Sequence, residues 1–107
     1  MRVAVVGHVE WIRFCRVESM PARGEIAHST DEWEQVGGAG AVAAIQLARL
    51  GAETLLFTAF GDDELGRMSR EELEAAGISV HAETVRPPHR WAFTHVDDTA
   101  ERTITTV

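Results

Sequence analysis

The sequence predicts an α/β protein, a parallel core sheet flanked by helices and interrupted by extended polar segments. Three observations carry that expectation. An apolar run opens the chain, strand and helix patterns alternate from residue 39 to residue 80, and the stretches outside this alternation read as strands with mixed faces.

Arg2-Val3-Ala4-Val5-Val6-Gly7 is an apolar run closed by glycine, the pattern of a strand buried on both faces of a parallel sheet. From Val9 to Val17 the pattern becomes rough alternation. Val9, Trp11, Arg13, Cys15 and Val17 fall on one face, and Glu10, Ile12, Phe14 and Arg16 on the other. Pro21-Ala22-Arg23-Gly24 supplies a turn, and Glu25 to Val36 reads as an extended segment returning from it. Ala39 to Leu50 is rich in Ala and Leu and is followed by Gly51, which predicts a helix with a left-handed C-terminal cap. Gln46 and Arg49 are its polar residues, so most of its circumference should be covered.

Glu53 to Ala59 reads as a strand, Asp62 to Ala76 as a helix ended by Gly77, and Ile78-Ser79-Val80 as the start of another strand. Pro87-Pro88 breaks the chain. Arg90 to Val96 and Arg102 to Val107 then flank the turn-like Asp97 to Glu101, predicting a β-hairpin. The core is therefore expected over residues 1–8 and 37–86, and the excursions 9–36 and 90–107 should build one small accessory sheet. A final strand that stops on Thr105-Thr106-Val107 without a turn reads as cut, so the chain is expected to continue.

A chain of 107 residues fits one domain. Its 45% hydrophobic and 25% charged residues match soluble proteins and exclude disorder. The net charge of -7, with scattered Lys and Arg, argues against nucleic acid as a partner. No run approaches the ~20 apolar residues of a membrane span, and Met1 leads into a strand without a signal sequence, so no membrane partner and a cytoplasmic location are expected. Cys15 is the one cysteine, which excludes an intrachain disulfide and leaves a packed thiol as its reading. The histidines 8, 28, 81, 89 and 95 lack metal-binding spacing and read as surface or packing residues.

Gly37-Gly38-Ala39-Gly40-Ala41 lies between the first excursion and the long helix. Glycines there let a ligand approach the backbone and the N–H groups of a helix start, although a tight junction needing glycine for itself is the other reading. This run, followed by Ala43, Leu47-Ala48-Arg49-Leu50-Gly51 and Phe60-Gly61-Asp62-Asp63-Glu64-Leu65-Gly66, resembles the N-terminal signature of the ribokinase-like, or PfkB, carbohydrate kinases. The resemblance takes in Val5-Val6-Gly7 and Met20 to Glu25 and so covers essentially the whole chain.

It implies the N-terminal part of a ribokinase-like α/β core whose excursions form a β-sheet lid over a sugar, with the double glycine as hinge. It implies transfer of the ATP γ-phosphoryl group to a sugar or sugar-like hydroxyl, assisted by Mg²⁺. It also implies substrate contacts at Gly37, Gly38 and Gly40, and a homodimer formed through the lid. Two positions depart from the family pattern: Val42 stands where Asn usually contacts the sugar, and Ile12 where Asp usually does. Glu10, two residues before Ile12 and on the same strand face, is a candidate replacement carboxylate; a solvated strand carboxylate is its other reading. The family's catalytic Asp belongs to a Gly-Ala-Gly-Asp motif that these residues do not contain, so the chain alone is expected to be inactive.

Two alternatives remain at this point. Gly38-Ala39-Gly40-Ala41-Val42-Ala43 fits the dinucleotide pattern G-x-G-x-x-A, but the acidic stretch before it is not a buried strand. The third reading is a non-catalytic module whose lid sheet serves as an interaction surface. Asp62-Asp63 reads as a helix cap, and Trp11 and Trp33 as lid-packing or ligand-stacking residues.

Overall fold

The computed structural model describes all 107 residues, Met1 to Val107. In chain order the elements are β1 (Arg2–Val6), β2 (Glu10–Arg16), β3 (Asp31–Gly37), α1 (Ala39–Arg49), β4 (Glu53–Gly61), α2 (Glu64–Ala75), β5 (Ser79–Val85), β6 (Trp91–Val96) and β7 (Arg102–Thr106). They form two sheets. One is wholly parallel in the order β1-β4-β5; the other runs β3-β2-β6-β7, with β2 and β6 parallel and the outer pairs antiparallel. The two excursions thus meet in one accessory sheet, as expected from their polar alternation.

Strand order in the core sheet follows chain order, so both crossovers step in the same direction. Right-handed connections then put both helices on one face of the sheet. α1 packs on β1 and β4, and α2 on β4 and β5. The opposite face is left open, with Val6 83%, Phe57 40% and Val85 44% exposed. Within residues 1–107, β1 is an edge strand, covered on one side by α1 and by no other residue of this stretch on the other.

Leu56 and Phe60 of β4, Leu73 of α2, Ala41 and Ala44 of α1, and Trp11 and Val36 of the accessory sheet form one buried cluster. The core therefore spans both sheets, and α2 binds them together: its Glu72 Oε2 accepts from the Val36 N–H at 3.2 Å. α1 is less covered than its composition predicts. Gly40, Ala41 and Ala44 are its buried residues, and Val42 is 59% exposed.

The returning excursion becomes a strand only at Asp31. Before it, the turn is closed by Glu25, whose N–H donates to Ala22 O and whose carboxylate accepts from Ala22 N–H. The β6–β7 hairpin follows the prediction, with Asp97 Oδ1 accepting from the Thr99 and Glu101 N–H groups to fix the turn.

Candidate functional site

Ligands in open parallel sheets bind beyond the carboxyl ends of the strands. Here the chain leaves the core at that end of β1, through Gly7, His8 and Val9, and returns at Gly37 and Gly38 into α1. The two passages touch. The Gly40 N–H donates to His8 O at 3.1 Å, and a Cβ on Gly40 would sit 2.6 Å from Gly7 C. Gly38 has φ 88° and ψ 153°, a conformation essentially confined to glycine, and a Cβ there would lie 2.9 Å from His8 O. At Gly37 an added Cβ would meet Ile12 Cγ1. Each glycine therefore answers to close packing within the chain, and no side chain caps the α1 start they shape.

Glu10 joins the same place. It is the register partner of Gly37, and its side chain is 13% exposed. Its Oε1 lies 3.7 Å from His8 Nε2 and its Oε2 3.8 Å from Arg90 Nε. Neither distance is a hydrogen bond, and Oε2 is buried without a partner. The four residues singled out from the sequence, Glu10, Gly37, Gly38 and Gly40, are thus brought together around residues 7–10. A cavity of about 410 Å³ opens beside them, bordered by Gly7, His8, Gly61, His89 and Arg90. Ile12, in contrast, is buried against Gly37.

The second glycine motif builds a different object. Asp63 caps α2 by accepting the Gly66 N–H on Oδ1 at 3.0 Å, and its Oδ2 accepts the His89 N–H at 2.7 Å. The Gly61 N–H donates to His89 Nδ1 at 3.1 Å, so that nitrogen is unprotonated and the neutral ring donates from Nε2 to Ser69 Oγ at 3.2 Å. His89 is 2% exposed, and burial pushes its pKa below the ordinary value against the opposing charges of Asp63 and Glu10. The His89 N–H holds the Asp63 carboxyl below the usual range. Sequence reasoning gave Asp63 its cap, whereas the role of His89 depends on partners 20 to 28 residues away that no local pattern connects to it.

The remaining candidates are packing residues. Trp11 is buried and donates Nε1–H to Glu34 at 3.0 Å, and Trp33 stacks on Phe14 at 4.9 Å. Cys15 is buried, which raises its pKa and makes the thiolate scarce. The dinucleotide pattern follows β3, which belongs to the accessory sheet, and so lacks the core strand that its chemistry requires. No three His, Cys, Asp or Glu side chains are grouped to hold a metal ion. No helix is long and apolar enough to cross a membrane.

Residues 1–107 match the family model described as pfkB family carbohydrate kinase. The chain is 31% identical over 103 residues to an ATP-dependent ribose-1-phosphate kinase of Halopiger xanaduensis, covering 94% of this chain and 35% of that protein. It thus spans about a third of that curated relative's length. Among solved structures, a putative ribokinase from Agrobacterium tumefaciens superposes with a TM-score of 0.89 at 24% identity, over 99% of this chain and 35% of that one. Ribokinase from Cryptococcus neoformans, in complex with ADP, gives 0.82 at 29% identity, over 99% of this chain and 33% of its own.

Proposed function

Because the chain belongs to the pfkB family of carbohydrate kinases, we propose that it forms the sugar-side and lid portion of an ATP-dependent kinase acting on a sugar or sugar-like hydroxyl. The observation that carries this reading is the convergence of Glu10, Gly37, Gly38 and Gly40 beyond the carboxyl end of β1, where the two sheets meet. In it, residues 1–8 and 37–86 are the core, and residues 9–36 and 90–107 are the lid that excludes water from the acceptor. The bare Glu10 Oε2 accepts from an acceptor hydroxyl, and the glycines let that acceptor reach the α1 start.

ATP and Mg²⁺ do not fit the residues present: there is no Gly-Ala-Gly-Asp segment and no group of metal ligands. Both belong, in this reading, to further residues of a complete protein that pack on the open face around Val6, Phe57 and Val85. Phosphoryl transfer requires positioning, metal and charge neutralisation together, so residues 1–107 alone are expected to be inactive. The same reading places the protein in the cytoplasm and pairs two copies through the lid, where β7 is an exposed edge strand bearing Ile104, 49% exposed.

The test is transfer of labelled phosphate from ATP·Mg²⁺ to pentoses, hexoses, their phosphates and nucleosides. It is run with the product of the complete reading frame containing this chain and with residues 1–107. Transfer by the first and none by the second is expected. A folded complete protein that phosphorylates nothing overturns the kinase reading, and turnover by residues 1–107 overturns the assignment of catalysis to other residues.

A further inference from the structure

The chain crosses between the core and the accessory sheet at residues 7–9, 37–38 and 86–90. The first two crossings are tied to each other through the Gly40 N–H and His8 O. The third is tied to the core at His89. This residue accepts from Gly61 of β4 on Nδ1, donates to Ser69 of α2 from Nε2 and gives its backbone N–H to Asp63. The next residue already belongs to the bonding of the accessory sheet, since Arg90 O accepts the Trp11 N–H at 2.9 Å. No slack separates the two attachments, so a turn of the sheet on the glycines at 37–38 pulls on the His89 ring.

α2 also grips the second crossing. Glu72 lies three residues after Ser69 on the same side of the helix, and its Oε2 accepts the Val36 N–H directly before Gly37. The helix thus holds the accessory sheet at two roots, the end of β3 and the start of β6. The β6 root depends on a proton. A proton on Nδ1 would set the ring N–H against the Gly61 N–H across 3.1 Å, in a site where His89 is 2% exposed. Charged groups surround that ring: Asp63 and Arg70 from α2, with Arg70 over the Phe60 ring that leans on the imidazole, Glu10 from β2, and Arg90 from the crossing itself. The carboxylates favour the cation, burial disfavours it, and burial prevails.

We infer that His89 and Glu72 latch the accessory sheet to α2, and that protonation of His89 opens the latch at the β6 root while Glu72 keeps its hold on the β3 root. The inference rests on the kinase reading only for the role of that sheet as a lid over the acceptor.

The test is amide hydrogen exchange, resolved by NMR, on the product of the complete reading frame, for wild type, His89→Asn and Glu72→Ala. The Trp11 amide reports the β6 root, the Val36 amide the β3 root, and the Leu56 amide the centre of the core sheet. In wild type the Trp11 protection factor, relative to that of Leu56, should fall by up to about 10-fold per pH unit between the ordinary histidine value of about 6.5 and the lower folded value, because opening takes up one proton. His89→Asn keeps an acceptor for Gly61 and has no proton to gain, so this slope should vanish. Glu72→Ala should lower Val36 protection about 10-fold at every pH and leave the Trp11 slope in place. Trp11 protection that follows Leu56 at every pH, or a slope that survives in His89→Asn, overturns the proton-dependent root, and unchanged Val36 protection in Glu72→Ala overturns the second one. Circular dichroism checks folding; should His89→Asn not fold, the comparison of Trp11 with Leu56 in wild type still decides. Transfer of labelled phosphate from ATP is assayed on the same samples. A proton-dependent root without transfer to any sugar leaves the latch standing and removes the kinase reading, whereas transfer with Trp11 following Leu56 does the reverse.

Discussion

The two helices begin in opposite ways. α1 starts at Gly38 with φ 88°, with no capping side chain and no acidic residue in its first turn. α2 starts at Asp63, which caps it through Gly66, with Glu64 beside it and His89 closing the junction from outside. Both starts are glycine-rich, and in both the glycines sit where a Cβ would strike the backbone. Glycine alone therefore does not separate a ligand site from a packed junction. The difference lies in who supplies the negative group that a helix start attracts. At α2 the chain supplies it; at α1 it does not, and the cavity with Arg90 and His8 lies beside it.

Glycine substitution should break the two starts differently. A Cβ on Gly61 would collide with the His89 backbone and displace the ring that Gly61 itself binds. Gly61→Ala is expected to cost about 3 kcal/mol or more, as overpacking against backbone does, measured by urea unfolding. Gly38→Val combines a glycine-only conformation with contact on His8 O and should cost about 2 to 3 kcal/mol. Only Gly38→Val should also weaken acceptor binding by the folded fraction. Wild-type affinity in folded Gly38→Val would show that the double glycine serves packing alone.

The α/β alternation, the hairpin and the glycine junction were legible because each is a local pattern of period, turn residue or breaker. The α1 helix was legible from Ala and Leu, but its coverage was not, because burial of Ala41 against exposure of Val42 depends on which sheet face α1 meets. The apolar run of β1 records what a strand tolerates, and the neighbours decide what it receives; residues 1–107 supply a neighbour on one face. Gly37, Gly38, Gly40 and Glu10 were singled out from spacing and resemblance, and the structure brings them together around residues 7–10. Arg90 was not singled out, because its meeting with Glu10 depends on the parallel pairing of β2 with β6 across 80 residues of chain.

Acid should sharpen the comparison, since only the α2 start carries titrating groups with shifted pKa values. His89 is depressed by burial, so its neutral form contributes stability that is present above the ordinary histidine pKa of about 6.5 and lost as pH falls through its lower folded value. Asp63 is also depressed, and its contribution is lost only at more acid pH, below the ordinary carboxylate value of about 3.9. As pH falls below about 6.5 and through the lower folded value of His89, the protection factor of the Gly61 amide should fall, because protonated Nδ1 no longer accepts its N–H. His89→Asn should lose that part of the pH slope. A Gly61 amide that exchanges at a pH-independent protection factor would contradict the assigned tautomer.

The smallest effect is expected at the α1 start itself, from Val42→Asn. Val42 lies one turn into the helix and is 59% exposed, so it contributes little to packing. The HN donor and carbonyl it would gain compete weakly with the helix backbone, and a surface change of this kind stays within about 0.5 kcal/mol in unfolding. Its effect on the acceptor should also be modest. One new neutral hydrogen bond to a hydroxyl is worth roughly 0.5 to 1.5 kcal/mol, a change of about 2- to 10-fold in kcat/KM. The change should act alike on neutral and phosphorylated sugars, because both carry the hydroxyl that the new amide would contact. A panel of neutral and phosphorylated sugars, measured for wild type and Val42→Asn in the complete protein, decides the point. A change above 100-fold would show that position 42 governs recognition more strongly than the α1 glycines, and that an open helix start is not what sets this site apart from the capped one.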